Sequence, residues 1–503
     1  HGSAYVARLR AGASPRAVCS VPPGDDWPAM LAEVVAAGHA AGRGVIVCLP
    51  DSKDVTRLDA ALTALLGPGH HVSLGAGAGP ARRYREFLAV SRGTRRIVVG
   101  TRSAAFAPVH HLGLLVIWDD GDDLHAEPRA PYPHTREVLL LRAEQEGAAV
   151  LLAGFARSVE ATYLLRTGWA REIAPTRSVL RERVTVEVVG GEQDLDRDLH
   201  AMTSRFPQQA HRRVREALAS GPVLVQTPRH GYVTSLASDR CRPPARGGVC
   251  TGPLALARAT SPPACRWCGT ETPGWSCAEC GGHGLRAPVL GNLRTAEELG
   301  RAFPGVRVHS SSGDGVLASV GAEHALVVAT PGAEPVAETG YAAVVLLDTW
   351  LLLSRVDLRA EEEALRRWSN AVGLVRPGGR AIAVGDPTQP ALQALVRSDQ
   401  PGFAERETRE RQQAHLPPAS RLATITGSPG AVDDAVTLLA APEALEVLGP
   451  VAVGDPSRQE SRVVLRVPRA RAAELSGALV EMQRVRAARK LDAVRVQVDP
   501  PSL

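Results

Sequence analysis

Short apolar runs without polar alternation recur along the first third of the chain. Residues 44–50 (GVIVCLP), 96–100 (RIVVG), 112–118 (LGLLVIW) and 148–153 (AAVLLA) are four of them. A run that is apolar at every position suits a strand buried on both faces of a parallel sheet. Helical stretches at 27–41 and 55–66 lie between the runs. This alternation predicts a doubly wound α/β lobe over residues 1–190.

A second set of such runs falls at 222–226 (PVLVQ), 325–329 (ALVVA), 343–347 (AVVLL) and 381–384 (AIAV). It predicts a second α/β lobe made of residues 191–237 and 288–400. Residues 238–287 interrupt that lobe with a Pro- and Gly-rich stretch that has no periodicity. Such a stretch cannot build an apolar core, so another element must hold it together. After residue 401 comes a polar helical stretch, 405–415, ended by Pro417 and Pro418. The rest reads strand (421–425), helix (431–440), strand (445–453), strand (462–467), helix (469–489) and strand (493–498). That βαββαβ order predicts a ferredoxin-like α+β domain over 401–503.

Length and charge add little to this picture. The 503 residues suit three or four domains. No run resembles a membrane span or a secretory signal. The chain opens on His1, which reads as a fragment with an N-terminal region ahead of it. A net charge of +5 is mildly basic and compatible with nucleic acid. Nearly all of the positive charge is arginine, since lysine occurs only at Lys53 and Lys490. Arginine forks suit phosphates, and a GC-rich coding bias gives the same composition.

Cysteine changes the picture more. Six cysteines fall between Cys241 and Cys280: Cys241, Cys250, Cys265, Cys268, Cys277 and Cys280. The last four form two C-x-x-C knuckles, each of which turns sharply and aims two thiolates at one point. The expectation is one or two structural Zn²⁺ ions. No H-E-x-x-H pattern points to a catalytic metal. Knuckle spacing favours metal over disulfides, hence a reducing cytoplasm. Cys19 and Cys48 read as small core residues. Neither lysine follows the G-x-x-x-x-G loop of a phosphate site.

Several strings resemble one family, the PriA primosomal replication-restart helicases, in a degenerate actinobacterial form. Residues 100–108 (GTRSAAFAP) are similar to the family's G-T-R-S-A-x-F-x-P. Residues 131–137 (PYPHTRE) sit where the family has an aromatic-rich loop and R-Y-H-x-R-D. Residues 229–232 (RHGY) resemble R-R-G-Y, and 357–360 (DLRA) resemble D-F-R-A. The resemblance runs from about Pro15 to the end and leaves the family's N-terminal DNA-binding and winged-helix regions without a counterpart in these residues.

The resemblance implies two RecA-like, helicase-type lobes with a zinc-binding insertion in the second. It also shows where the motor has decayed. The phosphate loop should fall at 18–27, where Pro22 and Pro23 remove N–H donors beside Gly24, and Asp25 and Asp26 oppose phosphate. The family's D-E-E-H is here Asp119, Asp120, Gly121 and Asp122. Its last motif, Q-x-x-G-R-x-G-R, should lie at 368–380 and is absent. Asp119 retains the means to hold Mg²⁺, yet the expectation is no ATP or Mg²⁺ cofactor and no active enzyme.

In the family four C-x-x-C pairs make two Cys₄ sites. Here Ser238 and Gly247 stand three positions before Cys241 and Cys250, so each first-half pair has one cysteine. The family's interleaved pairing would join Cys241 to Cys277 and Cys280, and Cys250 to Cys265 and Cys268. Water or His283 would complete the first site. The alternative is one Cys₄ site made of Cys265, Cys268, Cys277 and Cys280.

Arg129, Tyr132, His134 and Arg136 are the candidate DNA contacts: cations beside an aromatic ring that could stack a base of single-stranded DNA. A cluster at Arg484, Arg486, Arg489 and Lys490 reads first as a complement to a helix dipole. The resemblance thus implies a monomeric, cytoplasmic and nucleoid-associated replication-restart factor. It would bind stalled or branched forks, meet primosome and helicase-loading partners, touch no membrane, and lack its own helicase activity. The alternative is an active zinc-containing DNA-dependent ATPase, a 3′–5′ helicase with a divergent phosphate loop. A protein-only scaffold is a third reading.

Overall fold

The computed structural model describes residues 2–75, 79–190, 205–228, 233–238, 245–249, 252–256, 262–265, 268–290, 292–313, 315–353, 355, 357–453 and 460–502. The first lobe is a seven-stranded sheet of β1 (Arg16–Ser20), β2 (Gly44–Cys48), β3 (His71–Leu74), β4 (Ile97–Gly100), β5 (Leu112–Trp118), β6 (Ala149–Gly154) and β7 (Arg171–Ile173). Their spatial order is β3-β4-β2-β5-β6-β1-β7, and every pairing is parallel. The apolar runs of β2, β4, β5 and β6 are buried along their whole length, because helices cover both faces. Two hydrophobic clusters, one on each face, carry the lobe.

Strand β8 (Val184–Val189) opens the second lobe. It pairs with β19 (Val375–Val384) at the edge of a six-stranded parallel sheet. The other strands are β9 (Val223–Gln226), β14 (Arg307–Ser311), β16 (Ala325–Ala329) and β18 (Tyr341–Leu346), in the order β14-β16-β9-β18-β19-β8. The boundary expected at residue 190 therefore falls one strand too late. Residues 184–189 belong to the second sheet by hydrogen bonding, which sequence adjacency does not reveal.

Between β9 and β14 the chain leaves the lobe through an antiparallel ribbon, β10 (Val233–Ser238) with β13 (Leu285–Leu290). Beyond the ribbon lies the short pair β11 (Leu254–Ala255) and β12 (Ala264–Cys265). A second small pair, β15 (Ser319–Val320) with β17 (Val336–Ala337), decorates the lobe.

The C-terminal domain has β20 (Ser420–Gly427), β21 (Glu446–Val453), β22 (Glu460–Pro468) and β23 (Arg495–Val498) in the order β21-β22-β20-β23. All contacts are antiparallel, and helices Pro429–Thr437 and Ala472–Ala488 connect them. This is the split βαββαβ arrangement that the sequence predicts. Along β22 burial alternates residue by residue, as expected of a sheet with one face on a core. Among the described residues no helix is long and apolar enough to cross a membrane.

Candidate functional site

In open α/β sheets ligands bind at the carboxyl ends of the strands. Here the loop after β1 and the loop after β5 meet at that edge, with β6 between their strands. The first loop carries Pro22 and Gly24; the second carries Asp119 and Asp120. Both face the second lobe.

The loop after β1 is docked rather than open. Gly24, at φ +77°, donates its N–H to the carbonyl of Gly373 in the second lobe at 3.1 Å. A Cβ on Gly24 would stand 2.7 Å from the Val375 carbonyl oxygen, so only glycine permits the approach. Asp25 pairs with Arg183 at 3.0 Å.

The following helix, Trp27–Ala40, would offer its N-terminal amides to a phosphate in a working site. Instead Asp26 Oδ1 accepts the Ala29 N–H at 3.1 Å, and Pro28 has no N–H to give. A carboxylate from the chain itself holds the anion position. Trp27 fills the adjoining space. Its ring stacks on Trp118 with centroids 4.3 Å apart and planes 14° from parallel, and the Arg57 guanidinium lies 4.8 Å above it. Phe155 meets Trp118 edge-on at 5.3 Å and packs onto Gly373, where a Cβ would clash at 2.5 Å.

Asp119, the first residue after β5, is equally occupied. Its Oδ2 accepts from Arg366 Nη1 and from Asn370 Nδ2, each at 2.6 Å. Both donors stand on the second-lobe helix Ala360–Val372. The same Arg366 nitrogen reaches Asp122 at 2.7 Å, and the rest of its fork holds Glu363 at 2.7 and 2.8 Å. Arg366 is buried and meets three carboxylates, two of them in the other lobe. Burial pushes Asp119 up to about 6 even against the pull of Arg366. Burial alone would also raise Asp122, but Arg366 draws it below its ordinary value. Burial opposes the charge on Arg366 too, yet Asp119 and Glu363 hold the guanidinium well above its usual range. Lys53 adds a further bridge, donating to the second-lobe carbonyls of Glu334 at 2.9 Å and Gly332 at 3.3 Å.

Asp120 points elsewhere. Its Oδ2 accepts from Arg136 Nη1 at 3.0 Å and from Ser158 Oγ at 2.7 Å. Arg136 is buried, with Glu160 and Glu137 also within 3.6 Å. Glu160 takes Arg359, the arginine of the D-L-R-A string, and Glu362 takes Arg411 at 3.0 Å. This chain of pairs ties the first lobe to the second and to the Gln400–Gln413 helix.

The expected single-strand contacts are thereby split. Arg136 is spent on internal carboxylates and is not available to phosphate. His134 caps the Thr135–Glu146 helix, its Nδ1 accepting the Arg136 N–H at 3.2 Å. Burial and then the neighbouring Arg136 hold His134 well below the usual imidazole range. Tyr132 is half-buried at φ +58° and lines a cavity of about 480 Å³ where the two lobes and the C-terminal domain meet. Arg129 alone of the four is well exposed. Of the C-terminal cluster, Arg486 is buried and donates to the Asp492 carbonyl, beyond the end of its helix, at 2.6 Å.

In the cysteine segment, Cys241 and Cys250 lie outside the described residues. The two knuckles are alike. Cys265 N donates to Thr270 O and Gly269 N to Cys265 O, and the same pattern links Cys277 with Gly282 and Gly281, all at 2.9 Å. Among the described residues no three His, Cys, Asp or Glu side chains converge. His283 Nδ1 engages the Trp275 carbonyl at 3.1 Å. Ser238 Oγ lies 3.6 Å from Cys280 Sγ, and a Cβ on Gly247 would lie 3.6 Å from Cys265 Sγ. Cys19 and Cys48 are buried in the first lobe, as expected.

Arg366, Asn370 and Trp27 were not singled out by the sequence. Arg366 stands two residues before the stretch in which a helicase arginine should fall. The only local signal was the Glu363/Arg366/Arg367 spacing on one helix face.

Two parallel α/β lobes facing across a cleft, a knuckled insertion and an appended split-βαβ domain define a helicase-like frame, and the Arg366–Asp119 bond spans the cleft. Residues 412–501 match the family model for the primosomal protein N C-terminal domain. The chain is 45% identical to the probable replication restart protein PriA of Mycobacterium leprae, over 99% of this chain and 79% of that protein. The Mycobacterium tuberculosis H37Rv counterpart gives 45% over 99% and 80%. The Bacillus subtilis replication restart protein PriA gives 24% over 70% and 46%. The chain belongs to the PriA replication restart family. Among solved structures, RecG bound to a three-way DNA junction aligns with a TM-score of 0.44 and 10% identity, over 81% of this chain and 46% of that one.

Proposed function

We propose that this chain is a replication-restart factor without an ATP motor. It holds stalled or branched forks and serves as the platform from which primosome partners reload the replicative helicase. Its relatives carry the name replication restart protein. The observation that carries the motorless half is the Arg366–Asp119 bond across the cleft. Phosphoryl transfer needs amides and a lysine on the phosphates and a carboxylate on Mg²⁺. Here the carboxylate is matched by Arg366 and Asn370, the helix N-terminus by Asp26, and the adjoining volume by Trp27.

The cysteine segment is read as one or two structural zinc sites of three thiolates each: Cys241 with Cys277 and Cys280, and Cys250 with Cys265 and Cys268. The two knuckle turns suit thiolate donors. The positions of Ser238 beside Cys280 and of Gly247 beside Cys265 support this interleaved pairing. Zinc would hold together a segment whose own apolar cluster is small. The factor acts on DNA in the cytoplasm, at the nucleoid.

The test is ATP hydrolysis with and without forked DNA, with fork binding recorded on the same samples. Fork binding without hydrolysis is the expected result. Fork-stimulated hydrolysis would overturn the motorless reading and restore the ATPase alternative.

A further inference from the structure

Four neighbouring strands of the first sheet each deliver a contact across the cleft. The order β2-β5-β6-β1 sets their carboxyl ends side by side, over about 14 Å at about 4.8 Å per strand. Beyond β2, Lys53 donates to the carbonyls of Glu334 at 2.9 Å and Gly332 at 3.3 Å. Beyond β5, Asp119 accepts from Arg366 and Asn370, each at 2.6 Å. Beyond β6, the Val159 N–H donates to Glu362 Oε1 at 3.0 Å, and Glu160 pairs with Arg359. Beyond β1, the Gly24 N–H donates to the Gly373 carbonyl at 3.1 Å.

On the opposite wall one helix receives most of these contacts. Glu362, Arg366, Asn370 and Gly373 stand at i, i+4, i+8 and i+11 along Ala360–Val372 and its C-cap. That spacing puts them on a single helix face. The face runs about 16 Å at about 1.5 Å per residue, close to the width of the seam. Lys53 meets the loop after β16 instead, off this helix. Arg183, on the segment that joins the lobes, adds its pair with Asp25 at 3.0 Å.

A hinge needs one line of contact about which everything else can swing. Here a rotation about any one of the four stations breaks the other three. The stations also differ in kind. Gly24 contributes a backbone bond, Asp119 and Glu160 contribute buried ion pairs, and Phe155 packs on Gly373. Salt weakens exposed pairs and leaves buried pairs and backbone bonds in place. In lobes that move, a ligand draws the walls together by its greater affinity for the closed state. In this chain both halves of each bond belong to the protein.

We propose that the two lobes form one rigid clamp, closed without any ligand and unchanged in geometry when DNA binds. The inference rests on the reading of a fork-binding factor without a motor. A clamp closed in advance has no closure cost when it meets a fork, and its DNA surface keeps one shape. Nucleotide has no second state to select, so Mg²⁺-ATP should change fork affinity by less than about twofold.

The test is single-molecule energy transfer between two dyes on the full chain. They are attached through non-natural amino acids at Ala64 and Ala219, which are both exposed and spare the cysteines. Each lies at the end of a helix that leads into the amino end of a strand, away from the cleft, where a rotation of the lobes is amplified. Wild type should give one narrow population that does not move with Mg²⁺-ATP, forked DNA or both. The observed rate of fork association should rise linearly with concentration, without the plateau of a preceding conformational step. Lys53→Met breaks one station of four and should leave the distance unchanged; a shift there would reduce the seam to a single latch and overturn the clamp. Arg366→Met/Glu362→Gln should broaden the population, and an unchanged width would overturn the role given to this helix. Two populations in wild type, or a shift on fork binding without hydrolysis, would overturn the clamp and leave the motorless reading intact. A shift on Mg²⁺-ATP accompanied by hydrolysis would remove the motorless reading, and the clamp with it.

Discussion

The Arg366 guanidinium on the second lobe donates to the Asp119 carboxylate on the first at 2.6 Å, with both side chains buried. In a motor of this architecture the cleft opens and closes around a nucleotide. Here the position that would coordinate a metal is bonded to the opposite wall. Removing one partner of a buried pair leaves the other charge without compensation.

Arg366→Met should therefore destabilise the chain by about 3–5 kcal/mol, because Asp119, Asp122 and Glu363 all lose a partner in one step. Urea unfolding followed by tryptophan fluorescence reads this, since Trp27 and Trp118 sit in the same cleft. An unchanged midpoint would mean that the bridge contributes nothing.

Mg²⁺-ATP should not raise the melting temperature. A ligand at a hundred times its Kd stabilises a fold by about 2.7 kcal/mol, which a thermal shift detects readily. A shift that grows with nucleotide concentration would show that Trp27 and Asp26 can be displaced.

Asp54 supplies a pH signature. It stands on the Ser52–Leu66 helix, and burial, then Asp51 beside it, pushes it up to about 7. An unfolded carboxyl titrates near about 3.9. Between these values the folded state binds the extra proton, so stability attributable to this group falls as pH rises through the window. Asp54→Asn should thus be more stable than wild type at pH 8, by on the order of 2–4 kcal/mol, and the gain should vanish below about pH 4. Melting curves at the two ends check the sign; a constant gain at all pH values would contradict it.

Metal content separates the zinc readings. Freshly prepared chain should contain at least one zinc, and Cys265→Ser and Cys277→Ser should each remove a different ion if two are bound. Less than one zinc per chain in the wild type would leave the knuckles as an apo remnant.

Arg136→Gln tests the reassignment of the 129–136 loop. The substitution leaves the buried Asp120 without its guanidinium, although Glu160 keeps Arg359, so the loss should appear as about 3–5 kcal/mol of stability. Weakened single-strand binding with an unchanged melting temperature would return Arg136 to the DNA surface.

Much of the fold was legible for a simple reason. Strands β2, β5 and β6 are buried on both faces, so their runs are apolar throughout, and β22 alternates where only one face is covered. Strand β8 was not among the runs read as strands, and its membership of the second sheet, through pairing with Gly379–Val384, is a long-range fact. The departure from a phosphate-loop pattern was visible in Pro22, Pro23, Asp25 and Asp26. What replaced it was not, because Arg366 and Asp119 are 247 residues apart. Arg136 misled for the opposite reason. Its neighbours in sequence form a loop, while its partners in space are Asp120 and Glu160.

The ribbon β10–β13 has a consequence for how this molecule can be altered. Ser238 and Leu285 are paired across it, so the segment between them leaves and re-enters at one place. That makes the ribbon a graft point. The module beyond it can change its own residues, or be exchanged for a foreign domain, while the six-stranded sheet beneath keeps its register.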